Sequence, residues 1–204
     1  MDYYFTIEKE SVAEFKDRGS RFIAYAFPVN DMETFKKRLQ LLKKEHGKAV
    51  HHCFAYRMGF SGDLFRSNDD GEPSGSAGKP ILGQIDSKSL TNVGIIVVRY
   101  FGGSLLGVPG LINAYKTAST LALQTVPVVQ KPIMNRWQVQ FEYNSLNDIM
   151  LLLKTCQSVV VKQDLGLFSV LEFDLPKNRE EEAIHKMKDL HNANFRKLLC
   201  SVDK

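Results

Sequence analysis

The sequence predicts an α+β protein of two domains, and two observations support this. The segment 126–133, VPVVQKPI, places two prolines between a long helical pattern and a new strand pattern, which is typical of a domain boundary. The elements after this segment follow the order β-α-β-β-α-β, which is the order of a ferredoxin-like sandwich. We therefore expect an N-terminal βα domain over 1–130 and a ferredoxin-like C-terminal domain over 134–204.

Aromatic and β-branched runs predict the strands of the N-terminal domain, and apolar residues three and four apart predict its helices. We expect strands at 3–7, 11–16, 20–29, 51–58, 63–68 and 93–100. We expect helices at 31–46, 79–85 and 111–124. The run 93–100 is almost continuously apolar, so it predicts a buried strand. Asn30 and Glu33 are expected to cap the first helix.

The C-terminal domain is predicted in the same way. We expect strands at 135–143, 158–165, 167–175 and 195–202, and helices at 145–156 and 179–191. Gly166 separates the two middle strands, which indicates a hairpin. Ser145 is expected to cap the first of these helices, with Asp148 three residues further on.

Composition indicates a soluble globular protein of the reducing cytoplasm. The 204 residues are 44% hydrophobic and 25% charged, and we find no apolar run of transmembrane length and no signal-peptide pattern. We therefore expect no membrane partner. Cys53, Cys156 and Cys200 are odd in number and far apart, which argues against a disulfide framework.

The net charge of +4 lies in the N-terminal part. Residues 1–133 hold 17 Lys/Arg and 13 Asp/Glu, whereas residues 134–204 hold 10 of each. A modest positive field of this kind can attract nucleic acid or another polyanion.

The stretch 67–82, SNDDGEPSGSAGKPIL, is the first candidate site. It fails as a P-loop, because Pro73 and Pro80 occupy two essential positions, and it fails as a calcium loop and as a nucleophile elbow. Its amides at Gly75 and Gly78 are expected to line an anion site at a helix start, with Lys79 neutralising the charge.

The acids of this stretch allow two interpretations. Asp69, Asp70 and Glu72 could bind a divalent ion, or they could be solvated or accept hydrogen bonds from turn amides.

The stretch RYFGGSLLGVPG is the second candidate. Arg99 and Tyr100 end a buried strand, and Gly102 and Gly103 permit a ligand to approach the backbone closely. The alternative is a connection packed by glycines, in which Arg99 pairs with a loop acid such as Asp70. His51 and Cys53 share one face of a strand, but no further pair at zinc spacing follows, so we predict no metal site.

Four segments together resemble the IMPACT family over residues 20–122: RFIAYAFPV, HHCFAYR, DDGEPSGSAGKPIL and VRYFGGSLLGVPGLINAY. The resemblance implies that the N-terminal domain shares a fold with elongation factor G domain four and a small-subunit ribosomal protein. It also implies that the tail is similar to the last domain of elongation factor G.

The resemblance also implies a function and a groove. It implies a part in translation or nucleic-acid binding. Eukaryotic members restrain a kinase that stops translation initiation, largely through an additional N-terminal domain; we find no such domain here and do not expect that role. The family's groove falls on Arg57, Asp69, Asp70, Glu72, Lys79, Arg99, Tyr100, Gly102 and Gly103. Pro109 and Asn113 replace a glycine and an arginine of the family pattern, which removes one phosphate contact.

We therefore predict a translation-associated binding protein for RNA, the ribosome or a translation-factor protein, acting through a basic, glycine-lined groove. In this hypothesis Arg57, Lys79 and Arg99 contact phosphates, and Tyr100 or Phe101 stacks on a base. No catalytic residue and no cofactor is assigned. Two alternatives stay open: a phosphate-handling or hydrolytic enzyme that uses Asp69, Asp70 or Glu72, and a protein-interaction module without nucleic acid.

Overall fold

A computed structural model describes residues 1–190 and 192–198 of the chain. The chain forms two compact units, one of Tyr4–Lys131 and one of Met1–Tyr3 with Pro132–Lys204. The predicted domain limits, 1–130 and 134–204, stay a prediction. None of the described helices is long and apolar enough to cross a membrane.

The N-terminal unit is built on an antiparallel sheet. The strands that lie wholly or mainly in this unit are β1 (Tyr3–Ile7), β2 (Ser11–Asp17), β3 (Ser20–Pro28), β4 (His51–Met58), β5 (Leu64–Asn68), β6 (Val93–Tyr100) and β7 (Val128–Pro132). Its helices are α1 (Met32–Glu45), α2 (Gly78–Ser87) and α3 (Gly107–Gln124). Five strands form one sheet in the order β2-β3-β6-β4-β5, and β1 pairs with β7.

Helices cover both faces of the five-stranded sheet. Phe35 and Leu42 of α1 pack on one face, against residues such as Ile96 and Val98. Helices α2 and α3 pack on the other face, where Ile81 and Tyr115 join a larger core. Strand β6 lies at the centre and is buried from both sides, as its continuous apolar run predicts.

The C-terminal unit has the predicted order of elements. Its strands are β8 (Met134–Glu142), β9 (Val159–Asp164), β10 (Phe168–Pro176) and β11 (Ala193–Lys197). Its helices are α4 (Leu146–Thr155) and α5 (Glu180–Lys188). In the described residues the antiparallel strand order is β11-β8-β10-β9, with α4 and α5 joined to one core with the inward side chains of the sheet. The fold class is therefore α+β, as predicted.

Strand β7 was not predicted, because the prolines at 127 and 132 favoured a linker. The strand begins directly after Pro127 and ends at Pro132. Helix α3 begins at Gly107, earlier than the expected start at 111, so that Pro109 lies in its first turn, where a missing N–H has no cost. Helix α2 begins at Gly78.

Two capping predictions are wrong. The side chain of Asp31, and not of Asn30, accepts the hydrogen bond of the α1 N-terminus, from Thr34 N at 2.8 Å. Ser145 makes no capping bond, because a 3₁₀ turn over Tyr143–Ser145 leads directly into α4. The end of the predicted strand 195–202 lies outside the described residues.

Candidate functional site

Both predicted loops meet the sheet at the same end. His51, the first residue of β4, is the register partner of Arg99, near the end of β6. The loop after β5 returns to the same place, since the backbone carbonyl of Asp70 accepts a hydrogen bond from His51 Nδ1 at 2.8 Å. We call this end of the five-stranded sheet the Arg99 end. The structure therefore brings the two predicted stretches together.

Asp69 occupies the amide cradle that was predicted to receive an anion. Its Oδ1 accepts hydrogen bonds from Ala77 N at 3.0 Å and Gly78 N at 2.8 Å, and its Oδ2 accepts one from Gly75 N at 2.9 Å. Burial opposes ionisation, but these three bonds and the charge of Lys79 outweigh it and lower the pKa of Asp69 below its ordinary value. The backbone N–H groups of Gly75 and Gly78 thus already donate hydrogen bonds to the Asp69 carboxylate. This contradicts the expectation that they line a site for an external anion.

Glu72 and Arg99 form a buried ion pair. Arg99 Nη1 lies 2.6 Å from Glu72 Oε1, and the two side chains are 6% and 3% exposed. Tyr115 of α3 donates to the same carboxylate oxygen at 2.7 Å. The Arg99 guanidinium also lies over the rings of Phe22 and Phe101. Arg99 therefore anchors the loop to the sheet and does not present its charge to a phosphate, contrary to expectation.

The groups around this pair are held in neutral forms. Cys53 Sγ lies 3.0 Å from the carbonyl oxygen of Asp69 and 3.2 Å from Tyr115 Oη. Burial raises the pKa of the Cys53 thiol and of the Tyr115 hydroxyl far above their ordinary values. Neither group is therefore an activated nucleophile.

Asp70 also serves the fold. Its Oδ2 accepts a hydrogen bond from the backbone N of His52 at 2.7 Å, and its Oδ1 lies 3.4 Å from Lys43 Nζ. Its backbone is in the left-handed region, with φ of 42°. The pKa of His52 is lowered by burial, since desolvation disfavours the imidazolium.

Tyr100 projects to the face opposite Arg99, because successive side chains on a strand alternate. Its hydroxyl lies 2.8 Å from His46 Nδ1, and His46 Nε2 lies 2.7 Å from the hydroxyl of Tyr25. The Tyr100 ring also lies beneath the guanidinium of Arg21. Tyr100 is thus half-buried and partnered, and it does not share a face with Arg99.

Gly102 and Gly103 differ in their roles. A Cβ on Gly102 would lie 1.9 Å from the carbonyl carbon of Gly19, so this glycine permits two backbone segments to touch. Gly103 has φ of +86° and open space around it. Only Gly103 therefore leaves room for the approach of a ligand.

Arg57 does not belong to this site. It is the register partner of Val93, at the opposite end of β6 from Arg99. Six residues along a strand correspond to about 20 Å. Arg57 instead pairs with Asp86 near the end of α2, with Nε and Oδ1 2.9 Å apart. The structure therefore does not bring Arg57 together with the other predicted residues.

Exposed lysines surround the Arg99 end. Lys79 is exposed on the first turn of α2, while Lys43 and Lys44 end α1 and Lys48 follows them. We call these four residues the lysine cluster. In the described residues, Lys44, Lys48 and Lys79 have no carboxylate within ion-pair distance. The sequence alone does not assign the lysines of α1 to this site, because nothing local shows that the end of α1 meets the loop after β5.

The loop acids lack the geometry of a catalytic or metal site. Asp69 is bonded to three amides, and Glu72 is bonded to Arg99 and Tyr115. Among the described residues, no group of three or more His, Cys, Asp or Glu side chains is placed to hold a metal ion. The structure therefore gives no support to the hydrolytic alternative.

Tyr115 and His46 are the polar residues of this end that the sequence did not reveal. Tyr115 fits the buried stripe of α3, and a buried tyrosine hydroxyl needs a partner, which was the available signal. No comparable signal marks His46, since its tyrosine partners come from β3 and β6.

Comparisons with known proteins agree with this architecture. A family model described as the Impact N-terminal domain matches residues 18–123. A crystal structure described as that of "an hypothetical protein" superimposes with a TM-score of 0.77 and 29% identity, and the match covers 98% of this chain and 100% of that one. These findings define the class: an Impact N-terminal domain in a larger α+β protein.

Sequence relatives specify the class further. The chain is 33% identical to the IMPACT family member YigZ of Escherichia coli (strain K12) over 183 residues, which is 89% of this chain and 90% of that protein. It is 36% identical to the family member YvyE of Bacillus subtilis (strain 168), over 72% of this chain and 67% of that one. The match to Protein IMPACT of Rattus norvegicus is 37% identical and covers 47% of this chain and 31% of the rat protein. The chain belongs to the IMPACT family.

Proposed function

We propose that this chain is a translation-related protein that binds RNA, including the RNA of the ribosome, through the lysine cluster. Membership of the IMPACT family supports the link to translation. The observation that carries the RNA proposal is the position of Lys44, Lys48 and Lys79, which are exposed around one end of the sheet. A cytoplasmic location belongs to the same proposal.

The contacts that we propose differ from those expected from the sequence. Lys79 keeps its expected role as a phosphate contact, while Lys43, Lys44 and Lys48 replace Arg57 and Arg99. Lysine ammonium groups on long, exposed side chains suit phosphates without reading sequence. Phe101 is 48% exposed beside Gly103 and offers a ring on which a base can stack.

Salt dependence tests this proposal. Each neutralised phosphate of a single strand contributes about −0.7 to the slope of log K against log salt. Lys44→Ala combined with Lys79→Ala should therefore flatten the slope by about 1.4. The assay is the binding of the full chain to a labelled single-stranded RNA over a range of salt concentrations.

A matched control separates position from net charge. Lys9 and Lys88 are exposed, and their neighbouring strand and helix ends lie towards the other end of the sheet. Lys9→Ala combined with Lys88→Ala should leave the slope nearly unchanged. Equal slopes for the two double variants, or RNA binding that is undetectable at low salt, would refute the proposal.

A second candidate is a protein-interaction surface. Four apolar side chains are exposed in and beside the loop before α3: Phe101, Leu105, Val108 and Ile112. Apolar clusters of this kind often mark interfaces. Leu105→Asp should abolish capture of a translation-factor partner and leave the salt slope of RNA binding intact.

A further inference from the structure

Strand β9 forms one edge of the sheet in the C-terminal unit. In the described residues it pairs only with β10, so that the N–H and C=O groups of its outer side have no strand partner. All residues from 161 to 168 are exposed. Such an edge is a template for pairing with another chain unless charges, proline or a covering segment prevent it.

The surface around this edge is apolar. Val159 and Val161 are 57% and 48% exposed, and Leu165 directly after the strand is 44% exposed. Leu151 on α4 is 65% exposed and lines a hollow with Val160. Exposed branched side chains of this kind gain free energy when another molecule covers them.

Two unpaired charges lie within this edge. Lys162 and Asp164 are both exposed, and neither makes an ion pair with any residue in the described part of the chain. They are two residues apart, so that they lie on either side of Gln163. A strand that carries one cation and one anion in this spacing is complementary to an antiparallel copy of itself.

We propose that the β9 edge is a dimer interface at which two copies of this chain pair antiparallel, with a two-fold axis through Gln163. In this register Lys162 lies opposite Asp164 of the second copy, and the reverse pair forms by symmetry. Val161 lies opposite Leu165 of the second copy, again twice. An isologous interface requires this self-complementarity.

Neighbouring registers lose the charge pairing. An axis through Lys162 places two lysines opposite each other, and an axis through Asp164 places two aspartates opposite each other. Like charges directly opposite each other destabilise a strand pair. The irregularity in the β9–β10 pairing leaves Val161 without a register partner, between Val160 and Lys162, so the ladder from Lys162 onward is regular where the axis is placed.

Charge reversal tests the interface, with sedimentation equilibrium of the full chain as the measurement. The wild-type chain should dimerise. Lys162→Asp turns two attractive cross-strand pairs into repulsive ones and should weaken dimerisation roughly tenfold. Asp164→Lys should do the same.

The mixture of the two single variants is the decisive sample. One copy then presents two aspartates and the other two lysines, so a heterodimer of at least wild-type affinity should form. This sample also separates repulsion between copies from any effect of Glu172, which lies opposite Lys162 within one copy. The proposal would be overturned if the wild-type chain stays monomeric at all concentrations, or if charge reversal leaves the dimerisation affinity unchanged.

A disulfide test locates the axis independently. Gln163→Cys in a Cys200→Ser background should form a covalent dimer on oxidation, because the two residues on the axis face each other. Cys53 and Cys156 are buried and do not interfere. The control is Asn194→Cys on β11 at the opposite edge of the sheet, which should stay monomeric. Cross-linking at 194 but not at 163 would also refute the proposed interface.

Discussion

Asp69 should be the side chain on which the loop before α2 depends most. Its carboxylate accepts three backbone N–H bonds at 2.8–3.0 Å. Hydrogen bonds to charged groups contribute about 1.5–3 kcal/mol each when buried. Asp69 is half-buried, so in the mutant water can hydrogen-bond to the freed N–H groups and recover part of this free energy. We expect Asp69→Ala to destabilise the N-terminal unit by about 3 kcal/mol. Asp69→Asn keeps one acceptor oxygen and should lose about half as much.

The dependence on pH follows from the lowered pKa of Asp69. A carboxyl whose folded-state pKa is depressed stabilises the fold above its unfolded pKa of about 3.9, and this contribution is lost as pH falls through the folded pKa. The difference in stability between wild type and Asp69→Asn should therefore shrink as pH falls below about 4.

Urea unfolding followed by circular dichroism measures these differences, together with hydrogen exchange at Gly75, Ala77 and Gly78. Tryptophan fluorescence is unsuitable, because the one tryptophan, Trp137, lies in the other unit. Asp63→Ala is the matched control, because Asp63 is exposed. This substitution should lower the free energy of unfolding by less than about 0.5 kcal/mol. An Asp69→Ala chain as stable as this control, with unchanged exchange at the three amides, would refute the reasoning.

Two further outcomes follow from the Arg99 end. Glu72→Gln leaves the buried charge of Arg99 without its counter-ion and should cost about 3 kcal/mol in urea unfolding; a loss below about 1 kcal/mol would show that the pair is not buried in solution. Gly102→Ala drives a methyl group into the backbone of Gly19 and should reduce stability by more than Gly103→Ala, which carries only a backbone penalty of about 1–2 kcal/mol. Equal losses for the two glycine variants would contradict the close approach.

Local sequence patterns predicted most of the helices and strands, because the spacing of apolar residues depends on which side of each element is buried. The run 93–100 is apolar on both faces and is the central strand, and the pattern after 133 gave the order of the C-terminal elements. Strand β7 escaped prediction because its stability depends on pairing with β1, more than 120 residues away in sequence. The caps of α1 and α4 depend on backbone angles that neighbouring residues such as Asp31 and Tyr143 decide.

The candidate site was predictable in part, because the residue types of the loop before α2 indicate which local hydrogen bonds and ion pairs it can make. Two interpretations of the loop were open, and the structure supports the modest one: Asp69 accepts hydrogen bonds from turn amides, and Arg99 pairs with a loop acid, which is Glu72 and not Asp70. The separation of Arg57 from Arg99 has a physical cause. Residues on different strands become neighbours through register alone, and register depends on the whole sheet.

The end of β6 makes hydrogen bonds towards the helices on both faces of the sheet, α1 on one face and α3 on the other. Arg99 is joined to α3 through Glu72 and Tyr115, while the adjacent Tyr100 is joined through its hydroxyl to His46, the C-cap of α1. Both helical layers therefore contact the same dipeptide of β6. The C-terminal end of α1 and the loop that Glu72 holds are therefore attached to adjacent residues of one strand.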